Sequence, residues 1–233
     1  KKEESHTVVK PPRTFTLNEI FLFGPSVRIA DLLQLNDIYA GRWLSLSAPF
    51  PIPDPERPDV LYPSIEHYMA AMKLVRTATP ADRGRDLAVT LLSSNGSIHQ
   101  KFLQMRLMKK VERKQDQQIL LDDHETERLL AETKSVKDAL LKKSLIPFRL
   151  SLNDDEWNRI KLEMLHYALT YRWERDARFH AIVEAARTQG KYLLYSQPAT
   201  NAGSEMGGQW KSGRIQGENK VGHMLMDIAG FIF

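Results

Sequence analysis

Tyr62-Pro63-Ser64-Ile65-Glu66-His67-Tyr68-Met69-Ala70-Ala71-Met72-Lys73 is the stretch on which the reading of the fold turns. Pro63 closes an extended approach, because a proline restricts both its own φ and the residue before it. Ser64 then stands as an N-cap, since its hydroxyl can accept from the orphan N–H groups of a first helical turn. Ile65, Tyr68, Met69 and Met72 recur at helical spacing, which predicts a helix from about Ile65 to Val75. Upstream, residues 48–63 carry six prolines, at 49, 51, 53, 55, 58 and 63, and read as an extended surface loop.

Working outward towards the start, Lys1 to Arg13 is polar, ends on Pro11-Pro12-Arg13, and reads as a disordered arm. Thr14 to Phe23 mixes apolar residues and Thr as a strand does, until Gly24-Pro25 breaks it. Towards the end, helices are predicted from Pro80 to Leu92 and from Gly96 through the basic stretch Lys101 to Lys114. Between Arg106 and Lys143, Lys109, Lys110, Arg113 and Lys114 precede Asp122, Asp123, Glu125 and Glu127. Alternating charge of this kind reads as a solvated helical face rather than a nucleic-acid stripe.

Asn153 followed by Asp154, Asp155 and Glu156 predicts a helix start with a capping box. Trp157, Ile160, Lys161, Met164, Ala168 and Tyr171 then fall along one side of a helix to about Trp173. A further helix, Ala177 to Arg187, stops at Gly190, and Tyr192-Leu193-Leu194-Tyr195 reads as a buried strand. The tail from Ser196 to Gly222 holds six glycines, at 203, 207, 208, 213, 217 and 222. That density suggests backbone N–H groups approaching a phosphate, or else a set of tight turns. A last helix is predicted from about Asn219 to Ala229. Together these elements predict a mainly α protein with a few short β-strands (α+β). The arm spans 1–13 and one compact domain spans 14–233, with a charged helical insertion at about 95–145.

Composition narrows the chemistry. The chain has 233 residues, 42% hydrophobic and 27% charged, which is ordinary globular usage. It contains no cysteine, so disulfides, cysteine-ligated zinc and a thiol nucleophile are excluded. A reducing, intracellular compartment, cytoplasm or nucleus, is the simplest expectation, and no secretory signal is visible. The longest apolar runs, Ala88 to Leu92 and His223 to Phe233, are short for a membrane span. A net charge of +4 and a pI near 9.2 favour anionic partners. Gly203 and Gly208 imitate a P-loop, but the required lysine arrives late, at Lys211. No H-E-x-x-H occurs, and Glu163 with His166 is a lone pair, so no metal and no cofactor are expected.

Four segments in order resemble the NADAR family. Phe21 to Gly24 stands where that family opens with an aromatic and a glycine. Tyr62-Pro63-Ser64-Ile65-Glu66-His67-Tyr68 with Lys73 is similar to its y-p-S-x-E-H-y helix and following lysine. Trp157, Lys161, Met164, Ala168-Leu169 and Arg172-Trp173 are similar to W-x3-K-x2-M-x3-A-L-x2-K-F. Gly217-Glu218-Asn219-Lys220-Val221-Gly222 with Met224-Leu225-Met226 is similar to its closing G-x-N-x-x-G-x-x-L-M. Two departures stand out. Leu44-Ser45-Leu46 replaces L-S-N-F, and D-x-x-W-G has no clear copy, with Met206-Gly207 or Trp210 in the tryptophan's place.

The resemblance implies an N-glycosidase that removes ADP-ribose from a nucleobase amine, with ADP-ribosylated guanine in DNA or RNA as the leading substrate. Riboflavin-pathway ribosylamino-pyrimidine phosphates, or ADP-ribose binding without turnover, are its alternatives. It implies no membrane partner, and a monomer is expected. Breaking the C–N bond builds positive charge on the ribose and negative charge on the leaving nitrogen, so a carboxylate and a proton source are needed.

Glu66 is the candidate carboxylate, although an acid in a first helical turn also stabilises the helix dipole. Glu205, the lone acid between Gly190 and Gly217, is the second catalytic candidate. The ligand-binding candidates are Phe23, Gly24, Ser64, Lys73, Trp157, Lys161, Gly207, Gly208, Trp210 and Asn219. Lys73 reads equally as a surface lysine, Trp157 as core and Asn219 as an N-cap.

Overall fold

A computed structural model of the chain describes residues 14–24, 27, 40–96, 150–196 and 205–232. The expected arm at 1–13 and the charged insertion beyond Gly96 lie outside the described residues. Helix and strand are mixed, with small two-stranded sheets, as an α+β chain requires.

The centre is a parallel pair, β1 (Ile20–Phe23) with β6 (Tyr192–Tyr195), in the register Ile20↔Tyr192 to Phe23↔Tyr195. Both are short apolar runs, and β6 is buried along its whole length. Parallel strands need a long crossover. Here it comprises α1 (Ala40–Trp43), β2 (Ile52–Pro53), β3 (Leu61–Tyr62) and α2 (Ile65–Thr77). It continues through β4 (Ala78–Thr79), α3 (Ala81–Leu87), β5 (Ser151–Leu152), α4 (Asp154–Arg175) and α5 (Ala177–Thr188). After β6 come the hairpin β7 (Gln209–Lys211) and β8 (Arg214–Gln216), then α6 (Lys220–Ile228).

Helix α2 begins where expected, with Ser64 accepting from the His67 N–H. It buries Tyr68, Ala71, Met72 and Val75 and runs beside α4 in the opposite direction, since Tyr68 meets Met164 while Lys73 meets Asp154. It stops at Thr77, where the chain turns extended at Ala78 ahead of Pro80. Four features of the sequence reading are corrected. The expected strand from Thr14 is shorter, because Leu17–Glu19 winds into a 3-10 turn capped by Thr16. The Pro80–Leu92 helix passes at Ala88 into a wider π turn. The proline-rich stretch is only partly a surface loop: Ile52 and Asp54 are buried, because β2 pairs with β3 and Asp54 collects N–H donors of Glu56 and Arg57 and the Tyr62 hydroxyl. At α4, Asn153 caps the Glu156 N–H as expected, but the Glu156 carboxylate bonds Arg159 instead of closing the box.

The buried stripe of α4 is Leu165, Ala168, Leu169 and Arg172, one position round from the side the sequence favoured. Met164 and Tyr171 are half-buried flanks that pack beside α2 and Phe50.

Asn219 locks the tail onto β6. It lies at φ 50° with its side chain fully buried. Its Oδ1 accepts from the Tyr195 N–H at 3.0 Å, and its Nδ2 donates to the Leu193 carbonyl at 2.9 Å. Those backbone partners fix the amide's orientation. Nδ2 also donates to the Tyr192 hydroxyl at 3.3 Å, and that hydroxyl hydrogen-bonds His223 Nε2 at 3.1 Å. Gly222 lets α6 approach this bracket, as a Cβ there would fall 2.3 Å from the Leu193 carbonyl oxygen. Asn219→Ala leaves buried strand groups without partners and is expected to lower unfolding free energy by about 2–3 kcal/mol in chemical denaturation. A loss below about 0.5 kcal/mol, the scale of a surface change, would contradict the lock.

Candidate functional site

Ligands of parallel sheets gather at the carboxyl ends of the strands. In this chain those ends are Phe23-Gly24 and Tyr195-Ser196, joined by the Ser196 N–H donating to the Phe23 carbonyl at 2.8 Å. Gly24 has φ 146°, and a Cβ there would sit 3.0 Å from the Ser196 carbonyl oxygen, so the position demands glycine for the strand crossing itself. Its N–H donates to the Gly41 carbonyl. Phe23 is fully buried with its ring 5.3 Å from that of Tyr195. The sequence expected Phe23 and Gly24 to touch a ligand; the structure makes them the floor under the strand ends.

The Glu66 N–H donates to the Leu46 carbonyl at 2.9 Å, tying the helix start to the loop after α1. The Glu66 side chain is half-buried, and its Oε1 is shut off from solvent. Burial, and then the negative charge of Glu66, push the phenol of Tyr195 well above the usual tyrosine range. Ser64, expected to bind ligand, is buried with its hydroxyl engaged by the His67 N–H and Nδ1. It is the helix cap.

The remaining candidates take their partners from within the chain. Glu205 lies between two lysines, with Oε2 2.5 Å from Lys161 Nζ and Oε1 2.6 Å from Lys220 Nζ. Hydrogen bonds from Lys161 and then Lys220 hold its carboxyl below the ordinary value of 4.5. A carboxyl so held favours its ionised form, a carboxylate rather than a proton donor. Lys73 pairs with the exposed Asp154 at 2.6 Å, and Trp157 packs half-buried against the core one turn further along α4. Trp210 gives its indole N–H to the Phe15 carbonyl.

Part of the tail's hydrogen bonding is fixed by the chain itself. The N–H groups of Asn219, Lys220 and Val221 donate to the carbonyls of Gly207, Glu205 and Met206, and the Gly208 N–H donates to the Tyr195 carbonyl. These four donors are engaged within the protein. Gly207 and Gly208 are buried, and a Cβ on Gly208 would lie 2.7 Å from the Gln216 carbonyl oxygen. Asn219 stands at the N-cap position of α6, yet its side chain brackets β6 instead of bonding the first helical N–H groups.

Three residues that position the site were missed. Tyr195 read only as an apolar strand residue. Asp54 was lost among prolines. Arg172 was quoted within a motif, yet its role was not seen. It is fully buried on α4, donating to Asp176 at 2.9 Å and to the carbonyls of Trp43 and Ser45. An arginine in register with Leu165, Ala168 and Leu169 was the available signal. Among the described residues no helix is long and apolar enough to cross a membrane, and no group of three or more His, Asp or Glu side chains is placed to hold a metal.

No known protein family, curated protein or solved structure matches the chain.

Two outcomes are expected. Gly208→Val overpacks the β6–β8 contact and is expected to cost about 1–3 kcal/mol of stability in thermal melts, while the folded fraction keeps its ligand affinity. Weakened affinity at unchanged stability would return the glycine to the site. Glu205 has a folded pKa below its unfolded one, so its stabilisation is complete above the ordinary 4.5 and fades as pH falls through the lower folded value. Glu205→Gln is expected to flatten that part of the stability curve, below about pH 4, in melts across the acid range. An acid limb equal to that of the parent would mean the pair is already broken in solution.

Proposed function

We propose that the chain is an N-glycosidase that hydrolyses the bond between ADP-ribose and a nucleobase amine, with ADP-ribosylated guanine as the leading substrate. The observation that carries the reading is Glu66 in the first turn of α2, half-buried with its Oε1 shut off from solvent and its charge acting on the buried Tyr195 phenol at the end of β6. The ordered resemblance to the NADAR family supports it.

In this reading the ribose C1′ faces Glu66. As the C1′–N bond lengthens, positive charge grows on the ring and is stabilised by the carboxylate, an interaction stronger in the transition state than before it. Water then forms the new C1′–O bond and gives up a proton, with Glu66 as base, while the leaving amine gains one. Tyr195 is a positioning residue: its phenol is too buried to meet substrate and instead bounds the carboxylate from the strand side. Lys161 and Lys220, steadied by Glu205, supply positive charge for the diphosphate.

The ionised state of Glu205 favours a second reading, ADP-ribose binding without turnover, since the tail acid is then no proton source. One experiment separates them. Glu66→Gln is expected to keep ADP-ribose affinity by calorimetry and to cut single-turnover release of guanine base by roughly a hundredfold or more. Near-normal release would remove Glu66 from the chemistry. A parent protein that binds ADP-ribose but releases no base would establish the binding module.

A further inference from the structure

The hairpin of β7 and β8 brings two cations face to face. Its central turn residues, Ser212 at φ 51° and Gly213 at φ 80°, take the positive φ that a tight type I′ turn requires. The register then sets Trp210 opposite Ile215 and Lys211 opposite Arg214. Side chains alternate across a strand, so Trp210 and Ile215 share the inner face and pack against the core, while Lys211, Arg214 and Gln216 lie exposed on the outer one. Like charges directly opposite each other weaken a strand pair, so the arrangement costs the hairpin stability.

Nothing within the described residues offsets that repulsion, since neither the Lys211 nor the Arg214 side chain makes an ion pair there. The acids nearest in sequence are committed elsewhere, Glu205 to Lys161 and Lys220, and Glu218 to Lys220 at 3.3 Å. The hairpin is held in place by other means. The Trp210 indole N–H donates to the Phe15 carbonyl at 3.0 Å, and the Phe15 N–H donates to the Gly213 carbonyl at 2.8 Å. At its base the Gly208 N–H donates to the Tyr195 carbonyl at 3.0 Å. Two cations without an internal counter-charge are thus presented on a clamped ribbon, where little ordering remains to be done on binding.

We infer that the outer face of this hairpin is a contact surface for the phosphate backbone of duplex nucleic acid, with Lys211 and Arg214 on neighbouring phosphates and Gln216 beside them. Opposite residues of an antiparallel pair have Cβ atoms about 4.5–5.5 Å apart. Phosphates follow one another every ~3.4 Å of rise along a strand, so two long cationic side chains can reach adjacent ones. An arginine fork and a lysine point charge both suit phosphate, and an amide such as Gln216 can donate to a phosphate or meet a base edge. The net charge of +4 complements the same polyanion. A single strand is the poorer fit, because unpaired bases need aromatic plates to stack on. The ribbon's aromatic, Trp210, is instead turned inward with its indole N–H engaged. The inference does not rest on the glycosidase reading, as it is measured by binding without turnover.

The test uses the full chain and a fluorescein-labelled, unmodified DNA duplex of about 20 base pairs, two helical turns. Anisotropy titrations over a series of salt concentrations compare the parent with Lys211→Gln, Arg214→Gln and the double variant. Thermal melts check folding, and no loss of stability is expected, since each substitution relieves the like-charge pair. Each single variant is expected to weaken binding roughly five- to tenfold near 0.1 M salt and to lower the salt slope by about one, the double variant by about two. Lys211→Arg keeps the charge and is expected to keep both affinity and slope. Arg187→Gln, which removes a cation paired with Glu184 on α5, is expected to bind as the parent does. A parent that does not bind the duplex, or folded hairpin variants with unchanged slope, would overturn the inference. So would an equal loss in Arg187→Gln, which would trace binding to net charge. Tighter binding of the single strand, or displacement of the duplex by polyglutamate at equal charge concentration, would also overturn it.

Discussion

The parallel pairing of β1 with β6 is the constraint on which the described structure depends. Two four-residue strands make few ladder bonds, and each leaves polar edges that burial would penalise. The tail therefore completes what the pair lacks. Asn219 supplies an acceptor to Tyr195 and a donor to Leu193, and Gly208 donates to the Tyr195 carbonyl. Helix α6 follows directly from that bracket, and α2 and α4 cover the core beside it. A substitution in the tail thus acts on the strand ends, and through them on whatever binds there.

Arg172 performs the same kind of work from the other side. Burying a guanidinium is costly unless its N–H groups are matched. Here desolvation lowers its pKa against the opposing charge of Asp176, and two backbone carbonyls take further donors. Those carbonyls belong to Trp43 and Ser45, immediately before Leu46, whose own carbonyl receives the Glu66 N–H. One buried cation in α4 therefore sets the loop against which the Glu66 turn is registered.

Much of the fold was legible because periodicity and punctuation are local. The Ser64 and Asn153 caps, the buried Tyr192–Tyr195 strand and the stop at Gly190, with φ 64°, all follow from residues within a turn of one another. Glu66 could be singled out by its place after the proline loop. The partners of Glu205 could not, since Lys161 lies 44 residues away. Glycine misled for a physical reason: sequence shows that a Cβ is missing, and the neighbour needing the space proved to be the protein's own backbone.

The sequence by itself determined the helix starts, the short apolar strands, the absence of cysteine chemistry and the candidate carboxylate, because each depends on side-chain type and near neighbours. Only the tertiary structure decided which strand pairs with which, that Ser64, Asn219 and Gly208 serve the scaffold, that Glu205 is held between two lysines, and that the charge of Glu66 acts on the buried Tyr195. Those outcomes depend on burial and on contacts between residues far apart in the chain, where desolvation and close approach set the energy and local pattern carries no information.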